Sequence, residues 1–318
     1  MTVTQGFYAL VPITITSSNY ITSPVAEPDT TRVMGDGTTG EVEWVSGTNY
    51  PNQKRVIVSA THRVYRDTVG GVSTTRPDLD PIRWFDEGPT NKWAWADSKA
   101  ATKTRSTSPA VFVVRPGVFN VIEFFALENV DTIRVEVWDE PAGTLVYDNT
   151  IGTEELAGTD PHWGLYFEAP SQGDTLSFTG LPVYPDCEVR ITMTSDDTNP
   201  VGVGLMGFGS YEFFGTGEIG FEAIYRDYGY SVTDKWGNTV RYPGEKGKDL
   251  RGTAFMAVGE ANNVDRTIRK LLDSGAVFVP SQLPEDRFLK TWGLLKPSSI
   301  RKTSPTTALV NIEVEGYI

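Results

Sequence analysis

Turn-forming residues interrupt this sequence so often that few elements can run long. Thirty-one glycines and 20 prolines are spread over 318 residues. Between them lie short runs rich in Val, Ile, Thr, Tyr and Phe, and such runs bounded by turn residues read as strands. Ile133-Arg134-Val135-Glu136-Val137 alternates with period two, as a half-buried strand must. Leu176-Ser177-Phe178 does the same before Gly180-Leu181-Pro182. In Cys187–Met193 the apolar positions are 187, 189, 191 and 193, so the lone cysteine reads as a small buried hydrophobe. One stretch, 262–275, has helical spacing: Val264, Ile268, Leu271 and Leu272 share a face, with Asn263 placed to cap the start and Gly275 to end it. Ala276–Val279, closed by Pro280, reads as a buried strand. The expected class is mainly β.

Length fits two or three domains of roughly 100–200 residues each. The expected division is a small N-terminal β module over 1–100, a central jelly-roll-like β-sandwich over 108–214, and a C-terminal α+β module with one clear helix over 215–318. Ala96–Pro109 is polar and small, which predicts a linker or long loop between the first two. The Gly-rich run Val201–Gly209 is expected to close the sandwich. No internal repeat is evident.

The formal charge is −13 and no stripe of Lys and Arg is present, which argues against a nucleic-acid partner. A single cysteine excludes an intrachain disulfide and a cysteine zinc site. His62 and His162 lie far apart in sequence. No metal and no cofactor are therefore expected. Met1–Gln5 lacks the basic and apolar segments of a secretory signal, and no apolar run approaches a membrane span.

Two aromatic groups are the candidate binding residues. Trp44, Tyr50, Tyr65 and Trp84 are spread over about 40 residues around Val56-Ile57-Val58. Unpaired rings can stack on the C–H face of a sugar; the alternative is that a small module fills its core with large side chains. Trp93 and Trp95, two apart, would face one side of an extended chain, either as a plug between modules or as a subunit contact. Gly88-Pro89 beside them is expected to form a tight turn, with Asn91 bonding the backbone. The acidic pairs Asp86-Glu87, Asp139-Glu140, Glu154-Glu155 and Asp196-Asp197 read as solvated faces or turns, since a glycosidase needs a defined separation that abundance does not supply. Asp78, Asp80 and Asp227 are weak calcium-ligand candidates without a loop motif. His162, beside Trp163, reads as a packed or loop residue. Gly202-Val203-Gly204-Leu205-Met206-Gly207 fits a dinucleotide pattern in letters alone, because no helix follows it. Gly244–Lys248 lacks the spacing of a phosphate loop.

Two resemblances add to this. The order Trp44, Tyr50-Pro51-Asn52-Gln53, Val56, Tyr65 and Trp84 resembles the small chitin-binding module of secreted glycosidases, with Asn52-Gln53 where that family carries Gly-Asp. Leu10–Thr16, Ala60–Tyr65, Trp84–Ala94 with its Gly-Pro-Thr-Asn-Lys-Trp-Ala core, Pro280-Ser281 and Asn311–Gly316 together resemble a family of tailed-bacteriophage and prophage tail-module structural proteins. That resemblance implies a virion protein of the tail tip or baseplate, made in the host bacterial cytoplasm and not an enzyme. Its expected partners are copies of itself and other tail proteins. Two alternatives are weighed: a receptor-binding tail protein that grips a host cell-surface glycan through the N-terminal aromatics, and a surface-glycan hydrolase.

Overall fold

The computed structural model describes residues 6–155, 171–172, 174–217, 220–244, 246–272, 275–281 and 284–316. The chain is mainly β, as the turn-punctuated sequence predicts, and every pairing within its multistranded sheets is antiparallel.

The sandwich is built from two sheets. One has strand order 145–152, 132–138, 188–194, 110–114, 20–22. The other is the near end of a ten-stranded sheet, formed by 175–179, 121–125 and the first residues of 205–217. Alternation decides which side chains face inward. Phe112, Val114, Ile133, Val135, Val137, Val189, Ile191 and Met193 meet Ile122, Phe124, Leu176, Phe178, Met206 and Phe208 in one apolar core. Cys187 is fully buried at its margin, its Sγ donating to the Gly117 carbonyl at 3.2 Å, and burial pushes its thiol pKa up.

The ten-stranded sheet then curls on itself. Leu205–Gly217 pairs with Val121–Phe125 through its first five residues, and with Phe7–Pro12 from Gly209 onward. Its last two residues pair with Phe255 and Ala254. The circuit 205–217, 7–12, 276–279, 291–295, 307–316, 246–257 is thereby closed, a six-stranded barrel. Phe7, Phe214, Phe278, Leu250, Leu295, Val310, Ile312 and Val314 fill it, with Val264, Ile268 and Leu271 of the α-helix Ala261–Leu271 packed against them.

The predicted boundaries therefore meet a chain that crosses them. Position 214/215 falls inside one 13-residue strand, and Phe7–Pro12 lies in the barrel, not in the small N-terminal unit. The expected linker 96–109 contains the strand Thr104–Ser106, which pairs with Val201–Val203 and buries Thr104. The helix begins earlier than its sequence cap suggests: Glu260 occupies the cap position, and the Asn263 carbonyl accepts from Thr267 Oγ1 within the helix.

What remains of the N-terminal unit is a small lobe. Strands Arg55–Val58, Arg63–Asp67 and Trp84–Pro89 form one sheet, and Thr48–Tyr50 pairs with Gly71–Ser73 in a two-stranded antiparallel ribbon that brackets its first two strands in sequence. One sheet face packs Tyr50, Val56, Val58, Tyr65 and Trp84; the other packs Met34, Ile57 and Val64.

Sandwich and barrel meet across a second apolar layer of Leu10, Val121, Phe125, Leu205, Val277, Val279 and Trp292. Glu123 is buried in the same seam. It accepts hydrogen bonds from Ser177 Oγ (2.6 Å) and the Tyr211 hydroxyl, and pairs with Lys290 Nζ at 3.4 Å. Burial, and then the Glu123 charge, drive the Tyr211 phenol far above its usual range. Removing one partner of a buried ion pair strands the other charge, at about 3–5 kcal/mol. Glu123→Ala should destabilise the chain by that order in a urea titration, while the double replacement Glu123→Gln/Lys290→Met should recover most of the loss.

Candidate functional site

The four N-terminal aromatics do not form an open platform. Tyr50 and Tyr65 are 6% exposed and Trp84 is 2% exposed. Trp44 packs against them, half-buried, and donates Nε1–H to Ser73 Oγ at 3.2 Å. Tyr50 meets Trp84 edge to face, with ring centroids 5.6 Å apart, and its hydroxyl accepts the Val45 N–H at 2.8 Å. The rings are the lobe's core. A lobe of short strands has little volume to bury, and large aromatics supply the most apolar area per residue.

Trp93 and Trp95 sit on one short 3-10 helix, Asn91–Ala96, rather than on extended chain. Both are buried within the chain. Trp93 stacks on His62 of the lobe at 4.4 Å and meets the edge of Tyr20. Trp95 enters the sandwich core, with Tyr20, Phe112 and Phe208 edge-on around it. The segment before them is a polar knot. Pro89 ends a strand instead of making a turn. Thr90 Oγ1 donates to Glu27 Oε1 at 2.6 Å, and Trp93 Nε1 to Glu27 Oε2 at 3.2 Å. The Asn91 backbone N–H donates to Glu41 Oε1 at 2.8 Å. The Asn91 amide group donates to Asp29 and to the Arg105 carbonyl, and accepts the Arg105 N–H at 2.9 Å. Burial alone would raise the Asp29 pKa, but hydrogen bonds from Thr31 and Asn91 outweigh it and hold the carboxyl below its usual range.

The acidic pairs are engaged structurally. Asp86 pairs with Arg63, and Glu87 with both Arg55 and Arg66. Asp78 pairs with Arg76 and Asp227 with Arg241, while Asp80 accepts the Arg83 N–H. Asp139 Oδ1 caps the N–H groups of Glu140 and Thr144, and Asp197 accepts from Asn129 and Asn199. No group of three metal-ligating side chains occurs among the described residues. The side chains of Glu154 and Glu155, and all of His162 and Trp163, lie outside the described residues. Gly202–Gly207 runs from the end of one strand through a bend at Gly204 into the next strand and is not a phosphate loop: a Cβ on Gly204 would lie 2.4 Å from the Ala100 carbonyl.

The feature that sequence reasoning did not single out is an arm. Strands Tyr230–Thr233 and Thr239–Tyr242 pair with each other and lie outside the larger sheets, and all eight residues are exposed. Register places Tyr230 opposite Tyr242 and Val232 opposite Val240. These four share one face, and Ser231, Thr233, Thr239 and Arg241 share the other. The two tyrosine rings stack at 4.9 Å. The tip is preformed: Asp234 Oδ1 accepts the N–H groups of Trp236 (2.8 Å) and Asn238 (2.9 Å), and Gly237 turns the chain at φ +85°. Hydrogen bonds from the Asn238 side chain and backbone hold the Asp234 pKa down. Trp236 stands 77% exposed at that tip, with Lys235 Nζ 5.0 Å from its ring. The signal was present in Tyr-Ser-Val-Thr and Thr-Val-Arg-Tyr flanking Asp-Lys-Trp-Gly-Asn, two alternating runs about a turn.

No family model matches the chain, and no curated protein matches it. Two solved structures are similar to part of it, both of chitosan-binding module 1 from a chitosanase/glucanase of Paenibacillus sp. IK-5. For a selenomethionine-labelled point mutant the TM-score is 0.26 at 14% identity, covering 38% of this chain and 83% of the module. For a second structure of that module the values are 0.25, 14%, 36% and 81%. The likeness is a weak structural similarity of part of the chain to a carbohydrate-binding module.

Because Trp84 is core, Trp84→Ala should cost about 3–5 kcal/mol. Amide exchange over 55–67 should then accelerate, well before the barrel opens. The lobe should also be acid-labile. Burial alone would raise the Asp67 pKa, but hydrogen bonds from Arg83, Gly70 and Val69 outweigh it and lower it. Its contribution is therefore present above the unfolded carboxylate value of about 3.9 and is lost as pH falls through the lower folded value. Exchange over 55–67 should speed up below about pH 4, and Asp67→Asn should flatten that dependence and weaken the lobe at neutral pH.

Proposed function

We propose that this chain is a structural subunit that acts by assembling with copies of itself, and that its setting is the tail tip or baseplate of a bacteriophage virion. The arm is the observation that carries the assembly reading. A two-stranded hairpin alone is marginally stable in water, and here its apolar face is left uncovered by its own chain. A face of this kind has a purpose only when something covers it.

A second copy suits that face on two counts. The arm, 228–244, carries one acid (Asp234) and two bases (Lys235, Arg241), and Arg241 is paired with Asp227 at its root, so the arm is close to neutral on a chain of net charge −13. A near-neutral patch spares two acidic copies the like-charge repulsion that the rest of their surface imposes. Tyr230, Tyr242 and Trp236 are 62, 46 and 77% exposed, and a large aromatic buries on the order of 150–250 Å². Covering the three supplies about half of the ~800 Å² per partner of an ordinary stable interface. Two arms exchanged about a two-fold axis, or passed around a ring, satisfy both copies at once.

The virion setting rests on the sequence resemblance to tail-module proteins described above. The knot gives its most specific segment a physical role, since Thr90, Asn91, Trp93 and Trp95 join lobe to sandwich. A rigid joint between bodies suits a part that must hold its shape under load.

Sedimentation of the purified chain should give a discrete oligomer at micromolar concentration. Tyr230→Ser/Tyr242→Ser, or Trp236→Ser, should raise the dissociation constant at least tenfold without lowering the melting temperature of the barrel. A chain that stays monomeric up to 100-fold higher concentration overturns the assembly reading. Absence of the chain from purified particles by mass spectrometry overturns the virion setting.

A further inference from the structure

A cleft opens at the base of the arm, where the strand before it (Glu222–Asp227) and the strand after it (Lys246–Ala257) approach the sandwich edge. Its inner part, about 250 Å³, lies between Phe125, Trp292, Lys248 and Lys290. Its outer part, about 460 Å³, adds Tyr225, Phe288 and Arg287. Asp174, Thr175, Lys246 and Lys248 line both, so the two are continuous. The outer volume falls within the roughly 300–1,000 Å³ usual for small-molecule sites.

The geometry points to a binding site for an acidic sugar unit, its carboxylate held by Lys246 and Lys248 and its ring face laid on Tyr225 and Phe288. Four cationic side chains converge on this cleft in a protein of net charge −13. The acids near these cations are Asp174 at the rim, Asp227 opposite Lys246 in the sheet and paired with Arg241, and Glu123 behind Lys290. Glu123 is already engaged with Lys290, Ser177 and Tyr211. A local excess of positive charge within an acidic surface focuses anions.

Lys248 gives the argument its direction. Its ammonium donates to the Phe288 carbonyl oxygen at 3.2 Å, a neutral acceptor that uses one of three donors. Burial holds its pKa below the usual lysine range, and the Asp174 charge opposes that shift without cancelling it. Lys248 is half-buried with a neutral acceptor in contact, and a carboxylate bound in the cleft supplies the counter-charge that the Phe288 carbonyl does not. Lys246, two residues earlier on the strand, points to the same side.

The aromatic residues set the rest of the ligand. Tyr225 is 70% exposed and Phe288 is 55% exposed, and both line the outer cleft beside the lysines. A bare phosphate would leave these rings uncovered. A pyranose carries apolar C–H groups on one face and fits an aromatic surface. The site lies in the seam between sandwich and barrel, remote from the lobe aromatics, and does not depend on the assembly reading.

The test titrates the full chain with a galacturonate oligomer, with inorganic phosphate and with a neutral maltose oligomer. It reads calorimetry and the fluorescence change expected from Trp292 in the cleft wall. The galacturonate oligomer should bind with salt-sensitive affinity, and the maltose oligomer at least tenfold more weakly. Lys248→Met should weaken galacturonate binding at least tenfold, and the exposed Lys246→Met should weaken it severalfold with an unchanged melting temperature. Tyr225→Ala should weaken galacturonate but leave phosphate binding unaltered. Trp236→Ser, which breaks assembly, should bind galacturonate as the parent chain does. No galacturonate binding by the parent chain overturns the proposal, as does binding indifferent to Lys246→Met and Lys248→Met. Phosphate binding as tight as galacturonate, with no effect of Tyr225→Ala, leaves an anion site without sugar and overturns it equally.

Discussion

The strand Leu205–Gly217 is the member that sandwich and barrel share, and most of the architecture follows from it. Its first residues hold Val121–Phe125 and its later ones hold Phe7–Pro12, so two hydrophobic cores are stitched along one backbone. Such a strand must let backbones cross closely. A Cβ on Gly209 would lie 2.5 Å from the Val11 carbonyl, and one on Gly215 would lie 2.2 Å from that of Phe255. The second of these sits at φ +127°, a conformation that L side chains rarely adopt. Gly204, in the middle of the pattern that mimics a nucleotide loop in letters, is under the same constraint, with the Ala100 carbonyl 2.4 Å from where its Cβ would lie.

That seam explains why the polar residues between the two bodies are so tightly arranged. Strand Val121–Phe125 is buried on both faces. Ile122 and Phe124 serve the sandwich core, which sends Glu123 to the opposite side by alternation alone. A carboxylate there needs partners, and it takes Lys290, Ser177 and Tyr211 from three separate strands or turns. Lys290 is thereby fixed at the cleft wall with its charge met by Glu123, and the cationic side chains that line both parts of the cleft are Lys246 and Lys248.

Much of the fold was legible because period two survives in the letters. Cys187–Met193 and Ile133–Val137 are strands with the expected faces inward. Helix and buried strand appear along the stretch 262–279 that the spacing marked, the helix cap lying three residues before Asn263 and the helix ending at Leu271, short of Gly275. Partnership was not legible. Nothing in Leu10-Val11-Pro12 says that its neighbours in the sheet, opposite Leu10 at Tyr211 and Val277, lie more than half the chain away, since pairing over that separation depends on complementary surfaces, not on local pattern. The aromatics failed for a related reason. Alternation says that Tyr65 and Trp84 face one way, and it is silent on whether anything covers them. In a lobe this small the side chains themselves are the cover. Gly-Pro-Thr-Asn-Lys-Trp-Ala-Trp showed its importance in sequence but not its work. Asn91 imitates a strand partner for Arg105 while closing on two buried acids, and those acids come from sequence 50–62 positions away.

The arm turns the same ambiguity round. Tyr230-Ser231-Val232-Thr233 has the letters of a half-buried strand, yet its apolar half is bare. Alternation encodes a demand for cover, and the chain can meet it internally, as for Trp84, or leave it to a neighbour. Where the turn is locked by Asp234 and Gly237, the hairpin is held ready before any neighbour arrives. Little conformational entropy remains to be lost on contact, and preorganised elements of this kind make the tighter interfaces. The arm and the cleft share the strands Glu222–Asp227 and Lys246–Ala257 at their root.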